Sequence, residues 1–149
     1  MDRFLRGLIA GIIGGIAMNL WTLIAVGIFN WQIIRFIDWA AVILYGQFAT
    51  SHAEGFFALV MQILWSGTLG VIFAFLIPHI TSSRYLIKGA VFGLLVGFIT
   101  YAIPTILQMP ILKEPSFITV VSNHMGGAIW GLTTAQTLRW LDEIPRVRI

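Results

Sequence analysis

Residues 7–29 read GLIAGIIGGIAMNLWTLIAVGIF, a run of 23 positions without a charged side chain. An α-helix needs about 20 apolar residues to cross the hydrocarbon core of a bilayer, so this stretch predicts a membrane span. Arg3 and Arg6 precede it. Basic-then-apolar is the order of a signal peptide, but the run is too long for such a core and no convincing cleavage site follows, so it reads as a retained signal anchor. Three further segments qualify. Together the four lie at 4–29, 55–78, 85–109 and 116–138, bounded in turn by Glu54 and Pro78, by Arg84 and Pro110, and by Pro115 and Arg139.

The composition agrees. Of 149 residues, 58% are hydrophobic and 10% are charged. A soluble domain carries about 25% charged residues. A chain this short and apolar cannot cover its surface with polar groups, so lipid is its expected solvent and partner. The net charge of +3 comes from few, scattered basic residues and carries no nucleic-acid signal. There is no cysteine, which removes disulfides, thiolate metal sites and cysteine nucleophiles.

Residues 31–51 are ambiguous. They hold Trp31, Arg35, Asp38, Trp39, Tyr45 and Gln47, and their longest apolar run is too short to span. Ile34, Ile37, Ala41 and Leu44 fall at helical spacing, and the aromatics suit a headgroup boundary. The segment reads as an interfacial helix or a shallow re-entrant one. Charge placement favours this. With four spans, Arg3, Arg6, Arg84, Lys88, Arg139, Arg146 and Arg148 lie inside, and only Arg35 and Lys113 outside. A fifth span through 31–51 would destroy that positive-inside bias. The expected fold is an all-α bundle of four transmembrane helices with both termini cytoplasmic.

The chain also resembles itself. Gly7, Gly11 and Gly15 recur as Gly89, Gly93 and Gly97 at an offset of 82, each set preceded by a basic residue. Gln62 and Gly70 recur as Asn123 and Gly131 at an offset of 61. The difference between the offsets is about the length of the 31–51 segment. The simplest reading is one membrane domain built from two duplicated helical hairpins. The first covers 1–80 and carries 31–51 as an outer insertion. The second covers 84–140, followed by a short tail at 141–149.

Glycines four apart drift slowly around a helix and make a smooth groove. In lipid such grooves serve close helix packing. Gly7, Gly11, Gly15, Gly89, Gly93, Gly97, Gly127 and Gly131 are therefore packing candidates, within the chain or between chains. Pro104 removes a backbone hydrogen bond inside the third span, and the hydroxyls of Thr100 and Thr105 can compensate locally.

Asn19, Gln62, Tyr101, Asn123 and His124 fall at a similar depth, one or two per span, in the outer half. Polar groups in hydrocarbon cost several kcal/mol unless paired, so these side chains should face one another or water. Two readings stand: interhelical hydrogen bonding, or a ligand, proton or water site. His124 is the one ionisable group well inside a span, and such groups are functional candidates. It could serve as a haem ligand, but His52 and His79 do not share its depth. No carboxylate lies in the middle of any span, no glycine loop precedes a phosphate-binding lysine, and no metal-ligand spacing occurs. The expectation is no enzyme and no cofactor.

The openings Gly7-Leu8-Ile9-Ala10-Gly11 and Gly89-xxx-Gly93, the proline-bearing end of the third span, and His124-Met125-Gly126-Gly127-Ala128-Ile129-Trp130 together resemble the YagU-like family of small bacterial inner-membrane proteins. The likeness covers the four spans and not 31–51. That family carries a glutamate before a Gly-His pair in its fourth helix. Here the region reads Ser122-Asn123-His124, so no carboxylate function carries over. The resemblance implies a bacterial inner-membrane protein of undefined activity with an association with acid stress. The functional expectation is a homo-oligomer or an accessory subunit of a membrane complex. A small transporter or channel using the polar layer is the alternative, and a haem- or quinone-binding subunit using His124 is a lower one.

Overall fold

The computed structural model describes residues 1–77 and 84–143. Pro78, His79, Arg146 and Arg148, invoked above, lie outside the described residues. Among those described, the chain is all helical: α1 (Arg3–Gly27), α2 (Phe36–Tyr45), α3 (His52–Leu76), α4 (Tyr85–Ile106) and α5 (Phe117–Glu143). Three of them, α1, α3 and α4, are long and apolar enough to cross a membrane.

The fourth expected span differs. α5 runs five residues past the predicted end at 138, into the expected tail. At 27 residues it is the longest helix, about 40 Å at 1.5 Å per residue. Yet its composition is not apolar enough to qualify with the other three. The reason is its position. α5 packs against both α1 and α4. Its buried positions include Thr119, Ser122, Asn123, Gly126, Gly127, Gly131 and Thr134. A helix surrounded by other helices needs small and hydrogen-bonding side chains more than apolar ones.

Local signals set the boundaries. The Asp2 carboxylate accepts from Leu5 N at 2.7 Å to start α1. Ser51 Oγ accepts from Glu54 N at 3.2 Å, and the Glu54 carboxylate accepts from Thr50 N at 2.7 Å, forming a reciprocal cap at the start of α3. α2 begins where Arg35 N donates to Asp38 Oδ2 at 2.9 Å and ends at Gly46, whose φ of 73° is left-handed.

The lateral order is α3, α1, α5, α4. Glycines bring the backbones together in both hairpins. A Cβ on Gly7 would lie 2.9 Å from both Gly70 O and Ala74 Cβ, and one on Gly11 would overlap Ser66 O. In the second hairpin, a Cβ on Gly89 would overlap Gly131 O and lie 2.7 Å from Ala135 Cβ. One on Gly93 would overlap Gly127 O. Gly15, Gly127 and Gly131 are equally tight. Gly97 departs from the packing expectation. Its Cβ would sit 3.7 Å from the His124 ring, an ordinary contact. These glycine contacts are all within the chain.

α1 and α5 join the two hairpins antiparallel. Arg6 pairs with Asp142 at one end, Trp130 Nε1 donates to Gly11 O at 3.2 Å in the middle, and Trp21 Nε1 donates to Ser122 O at 3.0 Å beyond. Gly14 accommodates Trp130 and Thr134. α3 and α4 meet through the stacked rings of Phe73 and Phe92, 5.1 Å apart. Ala10, Phe73, Ala74, Ala135 and Leu138 form the core at this end.

A second core fills the opposite, far end, where residues 28–51 and 107–116 connect the helices. It consists of Trp39, Val42 and Leu112, with Ile34, Tyr101 and Met109 against it. The 31–51 segment therefore folds back into this end of the bundle, and is re-entrant in that geometric sense. Trp39 is 4% exposed, so it is an interior residue and not a boundary aromatic. The buried face of α2 is Trp39, Ala41 and Val42, while Leu44, expected on the apolar side, is exposed. Helical spacing predicted the element and the burial of Ala41, but misplaced Leu44 and missed Trp39 and Val42. The missing information was the presence of α3 on one side and Tyr101 of α4 on the other.

Candidate functional site

The polar residues predicted to share a layer form two pairs, one in each hairpin. Asn19 Nδ2 donates to Gln62 Oε1 at 2.7 Å between α1 and α3. It also reaches Gly15 O at 2.8 Å, and Gln62 Nε2 donates to Ser66 Oγ at 3.2 Å. Between α4 and α5, Asn123 Nδ2 donates to Tyr101 Oη at 3.0 Å, and Tyr101 Oη donates to Thr119 O at 3.3 Å. No hydrogen bond joins the two pairs among the described residues. The single five-residue cluster expected from depth alone is thus two sites on either side of the α1–α5 contact.

His124 extends the second pair. Its ring lies 5.3 Å from that of Tyr101. Its Nδ1 is 2.8 Å from Val120 O. A carbonyl only accepts, so Nδ1 carries the proton and, in a neutral ring, Nε2 is the acceptor. His124 lines an open groove with Leu94, Val120, Val121, Met125 and Ala128. Among the described residues no three His, Cys, Asp or Glu gather to hold a metal ion. His52, the first residue of α3, sits at the far end of the bundle. Near Pro104, Thr100 Oγ1 reaches Val96 O at 2.8 Å and Thr105 Oγ1 reaches Tyr101 O at 3.0 Å.

The re-entrant segment is fastened to α5 beside the second pair. Ile34 N donates to Thr119 Oγ1 at 3.2 Å, and Ile34 O accepts from Asn123 Nδ2 at 3.1 Å. The Phe36 ring reaches deeper, against Gly126 and Met18, where a Cβ on Gly126 would lie 2.7 Å from it. Gly126 is nine residues beyond Phe117, so the ring penetrates about 14 Å along α5. Arg35 and Asp38 flank this tip as a two-pronged ion pair, with both contacts at 2.9 Å. Hydrogen bonding to Asp38 raises the Arg35 pKa above its already high usual value, so the guanidinium keeps its charge. Sequence reasoning missed this geometry. Its signal was an acidic residue three positions after Arg35, which marks a helix start.

No family model, curated protein or solved structure matches this chain. The functional reading therefore rests on geometry. The contacts of the first hairpin recur in the second at the offsets found in the sequence. Gly7 on Gly70 and Ala74 corresponds to Gly89 on Gly131 and Ala135. Gly11 on Ser66 corresponds to Gly93 on Gly127. Asn19 on Gln62 corresponds to Tyr101 on Asn123. Chemically, the pairs hold helices together, and each uses much of its hydrogen-bonding capacity on protein partners.

Proposed function

We propose that the chain is a non-enzymatic protein of the bacterial inner membrane, as its YagU-like resemblance implies, working as a subunit of a membrane assembly. It crosses the bilayer four times, with α5 as the fourth span and both termini cytoplasmic, as two hairpins of one origin. The far end is then the outer face. The coincidence of three contact sets at two fixed offsets supports the common origin, because chance similarity between glycine-rich helices would not place the polar pairs in register as well. The basic residues support the orientation.

One observation carries the assembly reading. Only 11% of the most apolar stretch of α4 is buried, against 39% in α1 and 33% in α3. Leu95, Phe98, Ile99 and Ile103 leave a broad apolar face on α4 uncovered. The packing glycines are occupied inside the chain, so this face, bare to lipid in a single chain, is what remains for another copy or another subunit. Mass measurement on the detergent-purified protein tests it. We expect more than one copy or a stoichiometric partner, and loss of that association when Leu95 and Phe98 are both changed to Ala. A monodisperse single chain in mild detergent would overturn the reading.

A small transporter or channel is the second reading. It is favoured by polar pairs at one depth with a re-entrant segment between hairpins, since irregular backbone at membrane depth is tolerated where it is buried in protein or lines a cavity.

A further inference from the structure

Thr119, Ser122, Asn123 and Gly126 lie at positions i, i+3, i+4 and i+7 of α5, a single stripe. Three of them receive the re-entrant segment: Thr119 and Asn123 bind the backbone of Ile34, and Gly126 receives Phe36. This seam holds most of the buried polar atoms that have no protein partner among the described residues. They are Trp39 Nε1, Ser122 Oγ and Asn123 Oδ1, with Thr134 Oγ1 the one elsewhere. Their residues are 4%, 0% and 3% exposed. Such an atom costs about 1–3 kcal/mol if it stays unmet. Three such atoms on and beside one helix stripe call for partners other than protein groups.

The chemistry of such a partner follows from the atoms. The indole N–H of Trp39 only donates, the Asn123 oxygen only accepts, and the Ser122 hydroxyl does either. The Asn123 amide cannot simply turn round, because its nitrogen faces Ile34 O, which needs a donor. Trp39 and Asn123 meet on a common neighbour. The Trp39 ring lies 4.8 Å from that of Tyr101, whose hydroxyl binds Asn123. The nearby charges, Arg35 and Asp38, are paired with each other. The partner therefore both donates and accepts, and carries no charge. At the far end of the same stripe, Gln32, Ile33, Ile34, Ser116 and Thr119 line an open depression.

We propose that the seam between the re-entrant segment and α5 is a hydration site for water molecules admitted from the far face of the bundle. A buried water makes two to four hydrogen bonds to polar groups of this kind. The two hairpins then differ. The Asn19–Gln62 pair leaves no fully buried atom without a protein partner, whereas the Tyr101–Asn123 pair sits beside water. This goes beyond the assembly reading and survives its failure.

The test uses the intact wild-type protein in nanodiscs with 15N-labelled tryptophan. Water-to-protein cross-relaxation and deuterium exchange are read at the indole N–H groups, with Trp39 assigned by Trp39→Phe. Trp130 is the internal control, because its N–H is bonded to Gly11 O and the residue is 3% exposed. We expect a water cross-peak at Trp39 and none at Trp130, with Trp39 exchanging at least tenfold faster. Absence of a water cross-peak at Trp39, or equal slow exchange at both indoles, would overturn the proposal.

Discussion

Gly93→Leu is expected to separate α4 from α5 and to lower the thermal midpoint in detergent by roughly 10 °C or more. Even a single Cβ at this position would overlap the Gly127 carbonyl, so the clash is with backbone and no rotamer relieves it. Overpacking a core typically costs about 1–3 kcal/mol. Here whole helices must move apart, which puts the cost at or above the top of that range. At about 2–4 °C per kcal/mol for a chain of this size, the midpoint shift follows. Gly11→Leu meets Ser66 O in the same way and should match it. Ile12→Leu and Leu94→Val conserve apolar bulk and should stay within about 1 kcal/mol. Gly97→Ala separates the packing argument from a general intolerance of substitution. Its added methyl has ordinary clearance, so it should be neutral or stabilising by about 0.5–1 kcal/mol through helix propensity. Equal midpoints for Gly93→Leu and Leu94→Val would show that the glycine face carries no packing.

Asn123→Leu has the second large expected effect, and it is local. The Asn123 amide bridges Ile34 O of the re-entrant segment and Tyr101 Oη of α4. Leucine leaves both without that partner. At about 1–3 kcal/mol per unmet buried group, the total cost for the two is about 2–6 kcal/mol. Much of it should appear as loosening of the re-entrant segment, since Ile34 N retains only its bond to Thr119 Oγ1 there. Amide exchange across residues 34–42 should rise at least tenfold, while α1 and α3 stay protected. Asn19→Leu is the mirror experiment, because it breaks the pair with Gln62 and touches no part of the re-entrant segment. It should destabilise without exposing residues 34–42. Unchanged protection of those residues in Asn123→Leu would mean that the segment is anchored elsewhere.

Much of the helix framework could be read from the chain because lipid is a demanding solvent. Long uncharged runs such as 7–29 have few alternatives to a helix, and α1, α3 and α4 begin and end within about three residues of the stretches their apolarity marks. The glycine spacing was equally legible, since close backbone approach admits no other residue at Gly11 or Gly93. Reading it from four-residue periodicity alone had a cost. It included Gly97, which has room, and passed over Gly14 and Gly126, which receive Trp130 and Phe36. The polar residues could be ranked by depth, but depth is one coordinate. It placed Asn19, Gln62, Tyr101 and Asn123 at one level without saying that α1 and α5 stand between two separate pairs. The re-entrant segment was hardest to read. Its charges, Arg35 and Asp38, argue for a surface until they are seen to satisfy each other. Trp39 argues for a headgroup boundary until Tyr101, more than sixty positions later, is packed against it. α5 shows the same limitation, because its Thr, Ser and Asn are polar by composition and interior by packing.

In the proposed topology α5 crosses the membrane as the partner of α4, so that the chain makes four passes. The described residues hold three helices apolar enough to span unaided, and an odd number of passes would put the two ends of the chain on opposite sides. The chain has no cysteine of its own, so Arg3→Cys and Glu143→Cys can each be probed as the sole thiol with a membrane-impermeant maleimide. Four passes with both termini cytoplasmic predict protection of both positions in intact spheroplasts and labelling of both after lysis. Labelling of Glu143→Cys from outside while Arg3→Cys stays protected would contradict the account.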